Sequence, residues 1–321
     1  MYLFAPNGLQ IKQRKSTVRK LKTNGFSCLH YTFARKHNDE NMAILIADSG
    51  STKCEWCFVS NGRKQLVETQ GASPYFLNEQ QLVAMMQQEL LPSLKKKIPT
   101  HIYFYGTGCA APANRAMVKR AIKRIFPLAE IEVEHDLTGA ARALCGKGKG
   151  IVAILGTGSN SGYYNGKKII RNSPGLGYIL GDEGSGAYLG RKVLQYFLYK
   201  TFDQDLHMKF FKKYKLTASE ILDAVYNKPL PNRYIAAFTL FLAEHRGHYM
   251  IENIIEDGLW DFFSIHLAQY PESGKVPIYF TGSVAFGFQD ILIELCKNFG
   301  WEAGKILAKP MNGLIAYHKK K

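Results

Sequence analysis

The sequence lacks long apolar runs and has few cysteines. No stretch approaches the ~20 consecutive apolar residues that a membrane-spanning helix needs, so we expect no membrane partner. The six cysteines, at positions 28, 54, 57, 109, 145 and 296, show none of the pairing patterns of small secreted domains. We therefore expect reduced thiols and a cytoplasmic location. A chain of 321 residues can bury a sizeable core without disulfides.

Acidic residues are also scarce, with 26 Asp and Glu against 42 Lys and Arg, and the formal net charge is +16. Such an excess can indicate a nucleic-acid partner. Residues 1–41 carry a dense part of this charge, while the rest is spread thinly from Met42 onward. We therefore expect no nucleic-acid partner for the domain that begins at Met42. Residues 1–41 are predicted to be a basic extension outside the fold, with a nucleic-acid-binding arm and an organelle transit peptide as alternatives.

Short apolar segments joined by Asn-Gly turns predict two similar three-stranded units. The predicted strands are 43–47, 54–59 and 64–70 in the first unit, and 151–155, 160–164 and 167–171 in the second. Further strands are predicted at 101–105, 130–134 and 277–281. Helices are predicted at 79–97 with Asn78 as N-cap, at 113–125, 137–145 and 287–299, through most of 184–270, and at 310–318. The repeated unit predicts a duplicated α/β domain.

Each unit has a Gly/Ser/Thr-rich turn after its first strand. The turns are Asp48-Ser-Gly-Ser-Thr-Lys53 and Leu155-Gly-Thr-Gly-Ser-Asn160. Such turns expose converging backbone N-H groups and let phosphate approach closely. Asp48 adds a carboxylate suited to hydrated magnesium. The sequence has no GxxxxGK[ST] loop, and its glycine spacings do not fit a dinucleotide fingerprint. Two turns at equivalent positions therefore predict a phosphate site of another kind.

Two acidic positions are candidates for chemistry. Asp136 follows the predicted strand 130–134 and precedes a helix, which is where α/β folds place catalytic groups. A helix N-cap is the alternative role for Asp136. Asp182 and Glu183 open another predicted helix, where acids also interact favourably with the helix dipole.

Two other motifs carry less chemical information. Cys54 and Cys57 form a CxxC motif within a predicted strand, so their side chains should point to opposite faces and serve in packing. A redox pair would need a helix N-terminus, and a zinc site would need further ligands. His245 and His248, three residues apart on a predicted helix, lack a third ligand, so a surface or helix-cap role is expected.

Together, "ILGTGSN", "PGLGYILGDEGS" and "YFTGSV" resemble the sugar kinase/Hsp70/actin superfamily. Within it, they resemble the N-acetylglucosamine kinases and the related BadF/BadG/BcrA/BcrD-type ATPases, from Met42 to the C-terminus. The resemblance implies an α/β fold of two ribonuclease H-like, actin-like ATPase lobes with nucleotide in the cleft between them. The implied lobes are residues 42–147 and residues 148–309 with a helical insertion, and a closing helix at 310–321 is expected to pack near the first lobe.

The resemblance also assigns roles to individual residues. It implies Asp136 as the catalytic base and Asp48 as a ligand of Mg²⁺ through water. It implies nucleotide and phosphate binding by Asp48, Gly50, Ser51, Thr52, Lys53, Gly156, Thr157, Gly158, Gly282, Ser283 and Gly313. The implied amino-sugar contacts are Ser73, Tyr75, Asp136, Thr157, Asn160, Gly175 and Asp182. Ser73 departs from the family, which commonly has Asn there, and this bears on the identity of the sugar.

The implied function is ATP- and Mg²⁺-dependent phosphorylation of N-acetylglucosamine at its 6-hydroxyl, in amino-sugar or cell-wall salvage. N-acetylmuramic acid and glucosamine are alternative substrates. A BadF-type ATPase that activates a dehydratase would need second-lobe cysteines, and none occurs between Cys145 and Cys296. A sugar-sensing regulator is a third alternative, although 41 residues scarcely make a DNA-binding domain. The small-molecule partner is an amino sugar, and a homodimer is compatible with the sequence.

Overall fold

The structure is a computed structural model that describes residues 43–95 and 97–319. The predictions for residues 1–41 therefore lie outside the described residues. Within the described part, no helix combines the length and apolar character needed to cross a membrane.

Two five-stranded sheets form the framework, and they share one strand order. The first sheet has the order β3-β2-β1-β4-β5 and the second has the equivalent order β8-β7-β6-β9-β10. In each, a three-stranded antiparallel meander is extended by two parallel strands. The strands are β1 Ile44–Ser49, β2 Lys53–Ser60, β3 Arg63–Gln70, β4 His101–Gly106, β5 Glu130–His135, β6 Gly150–Leu155, β7 Ser159–Tyr164, β8 Ile169–Asn172, β9 Ile278–Thr281 and β10 Ala303–Leu307. The predicted two-lobed α/β fold is confirmed.

Strand β1 is buried on both faces, which explains its continuous apolar sequence. Leu45 packs into the core under the first helices, whereas Ile46 packs into a separate cluster on the opposite face. The neighbouring β2 follows the same alternation, because Cys54 belongs to the first cluster and Cys57 to the second. The prediction that the two thiols point to opposite faces is therefore confirmed, and both side chains are buried.

The helices of the first lobe cover one face of its sheet. They are α1 Glu79–Met85, α2 Leu91–Leu94 and α3 Pro112–Ile125, with a π-helical turn at Met86–Leu90 between the first two. Asn78 caps α1 as predicted, and its side chain and that of Gln81 form a reciprocal capping box. The predicted helix 79–97 ends early, because Lys95 adopts a left-handed conformation.

Two helices lie between the sheets. Helix α4, Asp136–Leu144, packs Leu137 and Leu144 against Val152 and Tyr164 of the second sheet. Helix α14, Met311–Lys319, covers the face of the first sheet that carries Ile46. The two helices also contact each other very closely. A side chain at Gly313 would lie 2.4 Å from the carbonyl oxygen of Ala143, so the contact requires glycine.

The second lobe carries most of the helices. They are α5 Gly177–Leu180, α6 Gly186–Leu198, α7 Gln204–Tyr214, α8 Ala218–Tyr226, α9 Pro231–Ala236, α10 Thr239–Glu244, α11 Tyr249–Phe262, α12 Ser283–Gly287 and α13 Gln289–Asn298, and a π-helical turn Phe263–Leu267 follows α11. Aromatic rings such as Phe210 and Phe241 fill their shared core.

Two details differ from the predictions. His245 and His248 do not share a helix, because His245 ends α10 and His248 is the N-cap of α11. Their expected cap role is confirmed. Strand β10 was not predicted, since Gly304 and Lys305 interrupt its apolar pattern and only pairing with β9 defines it.

Candidate functional site

The carboxyl ends of three strands meet at one edge of the first sheet. The register pairs Ser49 of β1 with Gly106 of β4, and Gly106 with His135 of β5. The backbone N-H of Thr107 donates to the carbonyl of Ser49 over 2.9 Å. The turn after β1, Thr107 and Asp136 are consequently brought to one place, although they are far apart in sequence.

Asp136 accepts two hydrogen bonds and lies beside a histidine. The hydroxyl of Thr107 donates to Oδ2 over 2.6 Å, and the backbone N-H of Leu137 donates to Oδ1 over 2.7 Å. The Nε2 atom of His135 lies 3.1 Å from Oδ1. Helix α4 begins at Asp136, and its N-cap is His135, so the alternative that Asp136 is the N-cap is wrong. The half-buried carboxylate is fixed in orientation at the end of a strand, as a general base must be.

Asp48 is a second half-buried carboxyl group at this edge. Burial raises its pKa to about 7, with further upward effects from Asp136 and Glu55, while Lys309 opposes them. Lys309, which follows β10 of the second lobe, also donates to the carboxylate of Glu55 on β2. The side chains of Asp48 and Asp136 therefore form an acidic pair at the strand ends, with one lysine nearby.

The turn of residues 156–158 in the second lobe is fastened to the start of α6. The backbone N-H of Gly156 donates to the carbonyl of Gly158 over 3.0 Å. The N-H groups of Gly186 and Ala187 donate back to Gly156 and Thr157 over 2.7 and 3.0 Å. These bonds fasten the turn to the start of α6, and Gly156 and Thr157 of the turn face the cavity between the lobes.

A second glycine turn follows β9. Gly282 has φ +119°, a conformation that side-chain-bearing residues rarely adopt. An added Cβ would also lie 2.2 Å from the carbonyl oxygen of Leu155. Gly282 thus lets the start of α12 lie directly against the end of β6, next to the turn 156–158.

A cavity of about 640 Å³ joins the two lobes at these turns. Its lining includes Thr52 and Lys53 from the first lobe and Gly156, Thr157 and Ser283 from the second. The remaining lining residues are Glu68, Thr69, Gln70, Glu89, Gly186, Arg233, Ala236, Ala237, Thr239 and Val284. The Oγ1 atom of Thr52 is buried and has no hydrogen-bond partner among the described residues. A cavity of this size, with phosphate-type turns from both sides, can accommodate a nucleotide.

Five of the predicted nucleotide-binding residues therefore line one cavity. Asp48, Gly50, Ser51, Gly158 and Gly282 belong to the strand ends and turns that carry those residues. Gly313 lies elsewhere, in the contact between α14 and α4, and does not line the cavity.

The predicted sugar contacts form one group on each lobe. In the first lobe, Tyr75 is 66% exposed and lies against Gly108, next to Thr107. Ser73 is fully buried, and its carbonyl accepts from the N-H groups of residues 76 and 77. The Ser73 hydroxyl accepts from the backbone N-H of Tyr75 over 3.4 Å, so the side chain is also used locally.

In the second lobe, Asp182 lies close to the turn 156–158. An added Cβ on Gly158 would be 2.9 Å from its Oδ2 atom. Burial raises the pKa of Asp182, and a hydrogen bond from the N-H of Ser159 opposes that rise. Asn160 accepts a hydrogen bond from Asn172 over 2.7 Å, and Gly175 is exposed in the segment between them and Asp182.

Sequence reasoning missed several residues of this region. Thr107 lies in a Gly-Thr-Gly turn after a strand, and this resemblance to the other turns was a usable signal. Arg233 and Thr239 reach the cavity from the helical insertion, where no local pattern marks them. The described residues contain no cluster of three or more His, Cys, Asp or Glu side chains arranged to hold a metal ion.

The chain is similar to several known proteins. The chain is 39% identical to a crystal structure of a candidate N-acetylglucosamine kinase from Porphyromonas gingivalis, with a TM-score of 0.84 over 87% of this chain and 99% of that one. It is 25% identical over 235 residues to an N-acetylmuramic acid/N-acetylglucosamine kinase from Clostridium acetobutylicum, which covers 68% of this chain and 76% of the relative. No protein-family model matches the chain.

More distant structures share the fold alone. A candidate N-acetylglucosamine kinase from Chromobacterium violaceum is 14% identical, with a TM-score of 0.67 over 87% of this chain and 99% of that one.

The two lobes, the cleft and these similarities define a sugar kinase with the actin-like ATPase fold. The chain belongs to the N-acetylglucosamine kinase family, which confirms the resemblance found in its sequence.

Proposed function

We propose that the protein transfers the γ-phosphoryl group of ATP to the 6-hydroxyl of N-acetylglucosamine. The observation that carries this proposal is the cavity between the lobes, which brings Thr52, Thr157 and Ser283 together. Asp136 does not line this cavity and lies at the strand edge from which the turn with Thr52 begins. ATP would bind in the cavity with its phosphates between the two turns. The acceptor sugar would bind on the side of Asp136, between Tyr75 and Asp182.

In this mechanism, Asp136 accepts the proton of the attacking hydroxyl. Thr107 and Leu137 hold the two carboxylate oxygens, so the base needs no reorientation during the reaction. The N-H groups and hydroxyls of the turns offset the charge that develops on the phosphates. Closure of the lobes over the cavity would exclude water and so limit hydrolysis of ATP.

The residues present also fit a hydrated magnesium ion. Asp48 supplies a half-buried carboxylate whose pKa is raised to about 7 by burial first and by Asp136 second. Thr52 supplies a hydroxyl that has no hydrogen-bond partner among the described residues. A divalent cation near both would favour the ionised pair. When bound, Mg²⁺ would neutralise phosphate charge. Asp48 would hold it through water.

N-acetylmuramic acid is the second candidate substrate, favoured by the name of the Clostridium relative. Its lactyl carboxylate needs a basic partner. Arg191 lies close to the second group of predicted sugar contacts, because its Nη1 donates to the carbonyl of Tyr178 over 3.0 Å and its charge acts on Asp182. This arginine is the basic group that we would assign to the lactyl group.

A coupled ADP-release assay tests the proposal with N-acetylglucosamine, N-acetylmuramic acid, glucosamine and glucose, at fixed ATP and with or without magnesium. Mass analysis of the product locates the phosphate. We expect N-acetylglucosamine to give the highest kcat/KM and phosphorylation at the 6-hydroxyl. ADP release that does not depend on any sugar would contradict the proposed function.

The setting that we propose is amino-sugar salvage in the cytoplasm. The absence of a disulfide framework from the sequence supports this location. A homodimer is compatible with the sequence, and the mass of the protein in solution tests for it.

A further inference from the structure

A chain of buried polar side chains lies behind the second group of predicted sugar contacts. Glu183 Oε2 is 2.8 Å from His266 Nε2, and His266 Nδ1 is 2.7 Å from the hydroxyl of Ser173. A carboxylate only accepts hydrogen bonds, so Nε2 is the donor to Glu183. In the neutral ring, Nδ1 then accepts from the Ser173 hydroxyl. His266 is 8% exposed and Ser173 is 5% exposed, so both contacts are shielded from water.

Tyr270 fixes the same segment from a second side. Its hydroxyl accepts from the backbone N-H of Ser173 over 2.8 Å and lies 2.9 Å from the hydroxyl of Ser161 on β7. Because the oxygen already accepts one hydrogen bond, its proton is available for Ser161. Ser173 is therefore held through its backbone by Tyr270 and through its side chain by His266.

These bonds join the elements that carry Asn160, Gly175 and Asp182, three of the predicted sugar contacts of the second lobe. Ser161 follows Asn160 on β7, and Asn172 donates to both Asn160 Oδ1 and the Ser161 carbonyl, over 2.7 and 2.5 Å. Gly175 is two residues beyond Ser173, and Asp182 immediately precedes Glu183. The segment 173–183 is thus anchored near both ends, while residues between the anchors, such as Leu176 and Ile179, are exposed.

His266 also lies in an unusual backbone element. The π-helical turn Phe263–Leu267 continues directly from α11 and ends the helix, and π-helical turns occur frequently at functional sites. The turn places His266 between Glu183 and Ser173. A Ser-His-Glu arrangement can activate a nucleophile, but the Ser173 hydroxyl is buried and therefore closed to a substrate. Its role is structural support of a site.

We propose that His266 and Tyr270 are positioning residues that fix the segment 173–183 and thereby determine which acceptor sugar the kinase selects. They act from behind the segment and touch neither substrate. This inference rests on the proposed function, because it assigns the residues that shape the acceptor site. Loss of one of the buried bonds leaves its partner unsatisfied and allows the segment to move.

The test compares Tyr270→Phe and His266→Gln with the wild-type full-length chain. We expect each variant to raise KM for N-acetylglucosamine about tenfold or more, because each loses at least one buried hydrogen bond. KM for ATP should stay within about twofold, because the cavity lining does not include these residues. Discrimination between N-acetylglucosamine and glucose should fall. The double variant should show less than the product of the two effects, since both residues act on Ser173.

Tyr214→Phe and His207→Gln are the matched controls. They make the same chemical changes in the same lobe, where Tyr214 lacks a hydrogen-bond partner among the described residues and His207 stacks on Phe197. Thermal melts verify folding of every variant. If Tyr270→Phe does not fold, Ser161→Ala takes its place, because it removes the bond that fixes the Tyr270 hydroxyl to β7.

The outcomes separate the inference from the proposed function. An active wild-type enzyme with unchanged sugar KM in the folded variants overturns the inference alone, and so does an equal rise in the KM values for sugar and ATP. A wild-type protein that phosphorylates no sugar overturns both. A rise in sugar KM that is confined to Tyr270→Phe and His266→Gln, and absent from the controls, supports the inference.

Discussion

The two lobes have the same strand order, yet they use equivalent strand ends for different chemistry. In the first lobe, β4 is followed by Thr107 and β5 by Asp136, which are bonded to each other. In the second lobe, the equivalent β9 is followed by Gly282 and Ser283 at the cavity, and β10 by Lys309. In both lobes, the duplicated sheet places functional side chains at the carboxyl ends of its strands. Only the first lobe has an oriented carboxylate at the end of its last strand.

The largest effect should come from removing that carboxylate. Asp136→Asn keeps the size of the side chain and one of its two acceptor oxygens, but it cannot accept the substrate proton. We expect kcat to fall by about 10² to 10⁴, with little change in the binding of ATP or sugar. Steady-state kinetics and binding calorimetry measure the two quantities. Near-normal turnover would show that the two lobes do not differ in the way described.

The next effect concerns the glycine turn of the second lobe. Gly282→Ala forces a side chain into a φ of +119° and against the carbonyl of Leu155, so we expect a loss of about 1 to 3 kcal/mol in the free energy of unfolding. The matched control is Gly287→Ala, where no atom lies within 4 Å of the added Cβ. Urea unfolding of both variants tests the difference. If Gly282→Ala and Gly287→Ala had the same free energy of unfolding, the turn after β9 would not require glycine.

Removing the hydroxyl at equivalent strand ends of the two lobes should have a smaller effect, on a different kinetic parameter in each lobe. Thr107→Val removes the donor to Asp136, and we expect kcat to fall about tenfold while KM for ATP is unchanged. Ser283→Ala, at the equivalent strand end, should instead raise KM for ATP, because Ser283 lines the cavity. Thr107→Ser keeps the donor and serves as the control. If kcat and KM for ATP changed in the same way in Thr107→Val and Ser283→Ala, the two hydroxyls would not have the different roles described.

The smallest effect should come from the CxxC motif of β2. Cys54→Val and Cys57→Val retain apolar groups of similar size on the two faces of the strand, so the stability cost should stay below about 1.5 kcal/mol. Activity should be retained, as measured by the coupled assay under reducing and oxidising conditions. Loss of activity in a stably folded double variant would show that Cys54 and Cys57 have a role beyond packing, such as redox chemistry.

Much of the fold and part of the site could be predicted because the signals are local. The turns at Asp48 and Gly156 each follow an apolar strand, and their repetition identified the duplication. Asp136 was also predicted from its place at a strand end. The hydrogen bond from Thr107 to Asp136 could not be predicted, because it joins residues 29 positions apart and depends on the parallel register of β4 and β5.

Other features depend on tertiary contacts that no short pattern encodes. Strand β10 contains Gly304 and Lys305 and exists through pairing with β9. His245 and His248 share a helical spacing, yet a break between α10 and α11 separates them. Gly313 was predicted near the nucleotide, whereas it lies where α14 crosses α4. Its nucleotide role stays a prediction.

Helix α14 has a consequence for how the chain folds during synthesis. Its residues Met311, Leu314 and Ile315 cover Ile44 and Ile46 of β1, so the first strand of the described residues is covered by their last helix. Until that helix leaves the ribosome, one face of the first sheet exposes apolar side chains, which is the kind of surface that chaperones bind and that aggregates form on. A nascent chain arrested before residue 311 should therefore recruit chaperones, although all ten strands are already complete.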